Sequence, residues 1–467
     1  MPREWGLKTT RFHSRTFNPR FRFPSCADRH TSLHNLIPVF EQREATMRRR
    51  VVITGVGSIS PFGEGREKYW DGLRNGRSAV GPITLFNPEK SSSRVAAEVR
   101  DWTPARHVPE KELRRLPRVA IMSIGAAREA LEDAGIDTKT LPIEELRRFA
   151  CILGTSSGGI EFAEEQYRLW FTGQKEASCY PFAVSSAFVG MLSSEVSIAF
   201  GLRGMSHVVS TGCTSATDAM GHALNAIRHG QADAVVTGGA DCCITPGIVE
   251  CYCKMRCVST HWNGTPEKAS RPFNADRDGF VIGEGAWMLV MEERERAIRR
   301  GAEIYAEVIG YGATCDAFHR VQIMPNGEES ARAMSVALED AGITPDRIQY
   351  INLHGTSTPL NDKTETAAIK LAFDRLAQGL ATSATKSLIG HPQGASGAAG
   401  LVATLMAVKD SFIHPTINYE HPDPECDLDY VPNTGRVKAV DYAMCNTIAF
   451  GSKNAALVLK REEENPR

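Results

Sequence analysis

Two distant stretches of the chain carry nearly the same words: AAREALEDAGI at residues 126–136 and AMSVALEDAGI at residues 333–343. Each places apolar residues at helical spacing and ends on a glycine just past the last turn. Each is followed by an apolar run that closes on Gly-Thr-Ser, FACILGTSSG at 149–158 and IQYINLHGTST at 348–358. The echo continues in two helices that begin with small residues. STGCTSATDAMGHALNAIRHG at 210–230 puts Ala216, Met220, Ala223, Leu224 and Ile227 on one face, and IGHPQGASGAAGLVATLMAVKD at 389–410 does the same with Ala398, Leu401, Val402, Leu405 and Met406. GFVIGEGAWMLVMEE at 279–293 and AFGSKNAALVLK at 449–460 then read as strands after glycine-rich turns. A repeat of this kind predicts an α/β chain of two pseudo-symmetric βαβ halves, 47–300 and 301–467, with one sheet per half.

Composition narrows what such a chain does. Its 467 residues suffice for a large two-part core. A net charge of −1 offers no global field for nucleic acid or an acidic membrane surface, and no apolar run approaches the ~18 residues of a membrane span. The twelve cysteines are scattered through apolar runs, as free thiols in a reducing compartment are. Cys251, Cys253 and Cys257 are close enough for a metal site to be weighed. No second Cys/His cluster accompanies them, and Tyr252, Met255 and Val258 interleave like a core helix, so no metal is expected. The charged run EERERAIRRGAEI reads as a solvated helix face where the halves meet. Residues 1–46 lack apolar periodicity and read as a disordered or mis-started extension, or as a transit peptide. His13, His30 and His34 form no metal-like group there. At Met47 the segment MRRRVVITGVG begins, a basic start into a buried strand.

Three residues stand out for chemistry. In HVVSTGC a short β-branched run meets the next helix at Cys213, and backbone N–H groups and the positive helix end there favour a thiolate. A thiolate is the nucleophile that acyl transfer uses, although a small buried cysteine is the commoner fate of the type. His354 in NLHGTSTPLND and His391 in TKSLIGHPQGASG each follow a strand and stand beside glycine. A lone histidine in such a place is usually a cap. Two of them, with a cysteine elbow in the other half, form a candidate constellation.

These segments resemble the elongating β-ketoacyl-acyl-carrier-protein synthases of the thiolase superfamily over residues 50 to 461. The resemblance rests on VVITGVGSISPFG, STGCTSA, RPFNADRDGFVIGEGA, HGTSTPLND, KSLIGHPQGASGAAG and AFGSKNAALVL, in that order. It implies a thiolase-like fold in α-β-α-β-α layers. It also implies a decarboxylative Claisen condensation of a malonyl thioester with an acyl chain on Cys213, in fatty-acid or specialised polyketide synthesis. By resemblance His354 and His391 are the catalytic pair and Lys386 supports their hydrogen-bond network; Asp362 and Glu365 are candidate partners for the lysine, a helix N-terminal acidic pair being their plainer reading. Cys213 and Phe450 supply oxyanion N–H groups, and Phe450 lies on the gate. Thr356, Thr358 and His319 border the substrate, the threonines on the phosphopantetheine arm; turn chemistry is the plainer reading of both threonines.

The implied partner is an acidic acyl carrier protein, docked on Arg114, Arg115, Arg118 and Arg256. The carrier brings the pantetheine, so no cofactor of the enzyme's own is expected. A homodimer is implied and a heterodimer is left open. Location is cytoplasmic, or an organelle matrix if residues 1–46 are a transit peptide. Two segments depart from the common pattern. The gate reads Ala449-Phe450-Gly451-Ser452-Lys453-Asn454 where Gly-Phe-Gly-Gly-Thr-Asn is usual, which narrows loop motion. The segment DAFHRVQIMP at 316–325 replaces a smaller, threonine-containing one, and Arg320 and Val321 change the entrance. Other readings are a non-catalytic chain-length partner, a thiolase or an interaction scaffold. Cys213 argues against the first, and the Phe450 loop, standing where a thiolase carries its second cysteine, against the second.

Overall fold

A computed structural model describes residues 48–173 and 179–462. The expectations for residues 1–46 lie outside the described residues. Residues 48–462 pack as one unit around a sheet whose main path holds ten strands. The strands are β1 (Val51–Ser60), β2 (Phe149–Gly154), β3 (Ser206–Val209), β4 (Ala234–Cys242), β5 (Ile282–Glu293), β6 (Ala306–Cys315), β7 (Tyr350–Asn352), β8 (Ala381–Ser383), β9 (Tyr442–Ala449) and β10 (Lys453–Lys460). They run in the order β8-β7-β9-β10-β6-β1-β5-β4-β2-β3. Read outward from the centre, β1-β5-β4-β2-β3 and β6-β10-β9-β7-β8 are the same arrangement twice. In each the two outer pairings are parallel and the two inner ones antiparallel.

The halves do not hold separate sheets, because β1 and β6 pair antiparallel at Val52–Glu307 and Ile53–Ala306. That short ladder satisfies backbone groups on what would otherwise be two central edges.

The repeated helices are α1 (Arg118–Asp133) and α3 (Glu328–Ala341), and their shared sequence has a steric cause. A Cβ at Gly55 would lie 2.0 Å from the carbonyl oxygen of Ala130, and one at Gly57 2.1 Å from that of Ala126. In the other half a Cβ at Gly310 would lie 2.2 Å from the oxygen of Ala337, and one at Gly312 2.2 Å from that of Ala333. Strand and helix touch backbone to backbone, which only glycine on the strand permits. The aspartates match as well. Asp133 accepts from the Val56 N–H at 2.9 Å and Asp340 from the Tyr311 N–H at 3.0 Å.

Between the two half-sheets lie α2 (Ser215–Arg228) and α5 (Ser396–Asp410), the predicted central helices. α5 is buried from Ser396 to Val408, so its apolar residues surround it rather than forming a stripe. Each buried Leu or Val on it contributes roughly 1.5–3 kcal/mol of burial. A Cβ at Gly397 would come within 2.0 Å of Thr217 Oγ1, so the two helices cross at their first turns.

The charged run after β5 is a solvated face only in part: Glu295, Arg299 and Glu303 are exposed, and other members turn inward. Arg296 and Arg300 both bind the fully buried Glu292, and Arg294 binds Glu462 at 2.5 Å. A carboxylate inside the sheet demands such partners. Among the described residues no helix is long and apolar enough to cross a membrane.

Candidate active site

Cys213 lies where the sequence placed it, after β3 and before α2. Gly212 turns the chain at φ 77, and residues Gly212–Thr214 form one tight turn ahead of the helix. Ser215 Oγ donates to the Gly212 carbonyl at 2.6 Å and accepts from the Thr211 N–H at 2.9 Å, fixing that turn. The expectation of a stabilised thiolate is reversed. Burial pushes the thiol up to about 11, against the opposing pull of the Lys386 charge and a hydrogen bond from the Phe450 peptide N–H. Desolvation outweighs the helix end and the local donors, so the resting nucleophile is a thiol.

His354 and His391 come to Cys213 from the other half. Their rings stand nearly perpendicular, at 87°, with centroids 5.4 Å apart. One side-chain nitrogen of each histidine and the Cys213 sulfur lie within 4.8 Å of one another, and all three side chains are buried. At His391, Nδ1 accepts from the Gln393 N–H at 3.1 Å and lies 3.0 Å from Ser396 Oγ. At His354, Nδ1 faces Lys386 Nζ at 3.3 Å. An amide N–H and an ammonium only donate, so both Nδ1 atoms accept and the proton of each neutral ring sits on Nε2. Burial holds both imidazoles well below the usual histidine range; the Lys386 charge adds to this at both, and His391 further at His354. The site therefore offers two neutral N–H donors beside one sulfur.

Lys386 Nζ also donates to the His354 carbonyl at 2.7 Å. Burial lowers its pKa to about 8, opposed by nearby Glu365. The predicted carboxylate partners act on Lys386 through their charge, each raising its pKa, rather than through direct contact. Neither hydrogen-bonds Lys386. Glu365 accepts from the His354 and Gly355 N–H groups at 2.7 Å each and from Asn446 Nδ2 at 2.7 Å. It thus holds the backbone that carries His354. Asp362 accepts from the Phe273 N–H at 2.9 Å and the Thr356 N–H at 3.1 Å, and pairs with Arg277 at 3.4 Å.

Thr356 and Thr358 line the same cavity as Cys213, His354 and His391. Their hydroxyls lie 2.9 Å apart, and Thr358 Oγ1 also caps α4 (Pro359–Phe373) by accepting from the Asn361 N–H at 3.3 Å. The cavity is narrow, about 60 Å³, and Phe280, Val321, Ile323 and Phe450 supply apolar wall. His319 does not line it. It is exposed, and its Nδ1 is occupied by the Val321 and Gln322 N–H groups at 3.1 and 3.0 Å. Phe280, Gln393 and Asn446 are among the residues of the site that the sequence does not single out. Phe280 packs on His391 with ring centroids 5.2 Å apart, and its signal lay inside the RPFNADRDGFVIGEGA segment. Gln393 borders the cavity and accepts from Tyr252 Oη at 3.2 Å. Asn446 sits on β9, where no motif marks it.

The four candidate docking arginines separate. Arg114, Arg115 and Arg256 are exposed. Arg118 is not a free surface charge: it grips the buried Glu284 at 2.7 Å and lies over the Trp102 ring at 5.0 Å. The helix Pro246–Met255 is also not a core helix, since it buries only Val249. Cys251 is exposed on it, Cys253 accepts from the Ser93 N–H, and Cys257 donates to the Tyr252 carbonyl.

Residues 48–297 match the Beta-ketoacyl synthase, N-terminal domain, and residues 305–420 match the Beta-ketoacyl synthase, C-terminal domain. The chain belongs to the β-ketoacyl synthase family. Within it, a 3-oxoacyl-[acyl-carrier-protein] synthase 2 from Synechocystis sp. is 40% identical over 89% of this chain and 98% of the relative. The protein of the same name from Coxiella burnetii is 42% identical over 89% and 99%. Among solved structures, the ishigamide ketosynthase/chain length factor aligns with a TM-score of 0.82 and 36% identity, covering 89% of this chain and all of that one. A type II polyketide synthase acyl-carrier protein in complex with its ketosynthase bound to the hexaketide aligns at 0.80 and 31% identity, with 89% and 100% coverage.

Proposed function

We propose that this chain is a β-ketoacyl-acyl-carrier-protein synthase, a condensing enzyme that extends an acyl chain held on Cys213. The observation that carries the reading is the convergence of one sulfur and two neutral imidazoles on one buried cavity. In the first half-reaction the Cys213 sulfur bonds the acyl carbon of a carrier-bound thioester, the pantetheine sulfur leaves from that carbon, and the proton given up by the Cys213 thiol ends on the departing pantetheine thiol. The tetrahedral oxyanion is met by the peptide N–H groups of Cys213 and Phe450, and losing one such donor typically costs ~3 kcal/mol in the transition state. In the second, a malonyl thioester loses CO₂ and its electrons pass into an enolate. The Nε2–H groups of His354 and His391 donate to the enolate oxygen. The enolate carbon then attacks the Cys213 thioester, a carbon–carbon bond forms, and the sulfur leaves. Lys386 orients His354 and Glu365 holds its backbone. Thr356 and Thr358 border the path of the pantetheine arm, and no cofactor of the enzyme's own takes part.

Arg114, Arg115 and Arg256 are the exposed cations offered to an acidic acyl carrier protein. A second copy of the chain is the expected partner at the β3 edge. Ser206 and His207 of that edge strand are exposed, and the helices Ile160–Phe171 and Met191–Phe200 leave Trp170, Phe171 and Ile198 more than 70% exposed. An open edge beside apolar side chains calls for a cover. All eleven described cysteines are free, in keeping with a reducing, cytoplasmic setting.

Mass spectrometry of the protein mixed with acyl-carrier thioesters of graded chain length tests the reading. The expected result is a single acyl adduct on Cys213, lost in Cys213→Ala, with a preference for one range of chain lengths. No adduct with any chain would favour a non-catalytic partner or scaffold. A flat length profile would remove the specialised, chain-tuned form of the proposal.

A further inference from the structure

The turn between β9 and β10 carries a serine that touches none of Cys213, His354 and His391. Ser452 is buried and sits at φ 67, a left-handed conformation that residues with a Cβ seldom adopt. Its hydroxyl is fully used. Oγ accepts from the Phe318 N–H at 3.3 Å and the His319 N–H at 3.2 Å, and donates to the His319 carbonyl at 2.9 Å. The Ser452 carbonyl accepts from the Asp316 N–H at 2.7 Å. The carboxylate of Asp316 completes the joint, taking Asn454 Nδ2 at 2.6 Å on one oxygen and the Met324 N–H at 3.0 Å on the other. The segment 316–324 is therefore knitted to the β9–β10 turn through its own backbone.

Both ends of this joint reach the reacting atoms. Two residues before Ser452, the Phe450 N–H lies close enough to the Cys213 sulfur to lower its pKa, and Phe450 lines the cavity with Cys213. Within the facing loop, Val321 and Ile323 form cavity wall. A glycine at position 452, usual in the family's gate, would lack the hydroxyl that joins the two segments. We propose that Ser452 is a positioning residue for the condensation. Its hydroxyl locks the 316–324 loop to the β9–β10 turn, keeping the Phe450 N–H aimed at Cys213 and Val321 and Ile323 against the cavity. This rests on the reading of Phe450 as an oxyanion donor.

Full-length wild type, Ser452→Ala and Ser452→Gly are compared by hydrogen exchange and by the kinetics of Cys213 acylation from an acyl-carrier thioester. Glycine adopts φ 67 without strain, so the second variant folds even if the first does not. Both variants are expected to exchange the amides of Phe318 and His319, which lose their acceptor, at least tenfold faster than wild type. Acylation kcat is expected to fall about tenfold with KM within twofold, because the aligned donor is lost while carrier binding is untouched. Unchanged exchange overturns the proposal, as does faster exchange with unchanged kcat, which would leave Ser452 merely structural. A wild type that takes no acyl group would instead defeat the catalytic reading itself, and the positioning role with it.

Discussion

Cys213 poses a quantitative question, because a nucleophile whose thiol is pushed up to about 11 is almost wholly protonated in the resting site. At pH 7.5 such a thiol carries about 0.03% thiolate, whereas an ordinary cysteine near 8.5 carries about 10%. Alkylation of Cys213 by iodoacetamide should therefore run about 300-fold slower than that of an exposed thiol at that pH. The rate is followed by mass spectrometry of the Cys213 peptide between pH 6 and pH 10. Below pH 8 the logarithm of the rate should climb about one unit per pH unit with no plateau. Lys386 then adds a signature. Its ammonium is the main group pulling the thiol down, and its own pKa is lowered to about 8. Above pH 8 that charge is lost, the thiol climbs further, and the plot should bend to a shallower slope. Lys386→Met should remove the bend and slow alkylation at pH 7 by about tenfold, equivalent to one pK unit. A plateau below pH 9 would refute the balance drawn here, since the helix end and the Phe450 donor would then outweigh burial. Faster alkylation in Lys386→Met would refute the electrostatic role of the lysine.

Three further outcomes are expected. His391→Ala should keep Cys213 acylation but lower malonyl decarboxylation by about 10²–10³, as loss of one preorganised donor does; equal loss of both half-reactions, measured separately, would place His391 elsewhere in the mechanism. Arg118→Ala should cost about 3–5 kcal/mol in denaturant unfolding by stranding the buried Glu284, and a variant of unchanged stability with a raised carrier KM would restore the docking reading. His414 is buried and its pKa is lowered to about 4. The unfolded histidine binds a proton near 6.5 and the native one does not, so stability should fall as pH drops through 6.5 and go on falling to about 4. His414 alone contributes about 3 kcal/mol of that loss, and a stability–pH slope over this range unaffected by His414→Phe would exclude it.

The sequence made some of this legible for a physical reason. The repeat was visible because backbone contact between β1 and α1, and between β6 and α3, restricts both partners to small residues. Cys213, His354 and His391 were visible because each lies beside glycines that allow a sharp turn. What stayed hidden depends on surroundings that no local pattern encodes. The thiol direction at Cys213 is a desolvation effect, and desolvation is set by what folds over the elbow. Arg114, Arg115 and Arg118 look like one patch in sequence. Arg118, however, is the first residue of α1 and turns inward to Glu284, which arrives from β5. The run 292–300 likewise serves Glu292 inside the sheet, and its partners could not be read from charge spacing.

The location of the site follows from the repeat rather than from any motif. Each central helix is preceded by one tight turn, Gly212–Thr214 before α2 and Gln393–Ala395 before α5, and the two turns pack against each other. Elements related by the pseudo-symmetry meet where their own copies meet, so whatever each half carries at that turn is brought together. The first half carries the sulfur there, and the second carries His391 just upstream. The halves cannot both carry a side chain at the matching position. Gly394 occupies the place equivalent to Cys213, and a Cβ on it would lie 2.2 Å from the Ser156 nitrogen and 2.6 Å from Asp241 Oδ2. Its N–H instead donates to that buried carboxylate at 2.6 Å, which also holds the chain after β2. One copy of the turn is thus closed against the core as structure, and the other is left open toward the cavity for chemistry. Gly394→Ala should accordingly disturb the fold through Asp241 rather than the reaction through Cys213. Loss of activity at unchanged unfolding midpoint in that variant would contradict this division of labour.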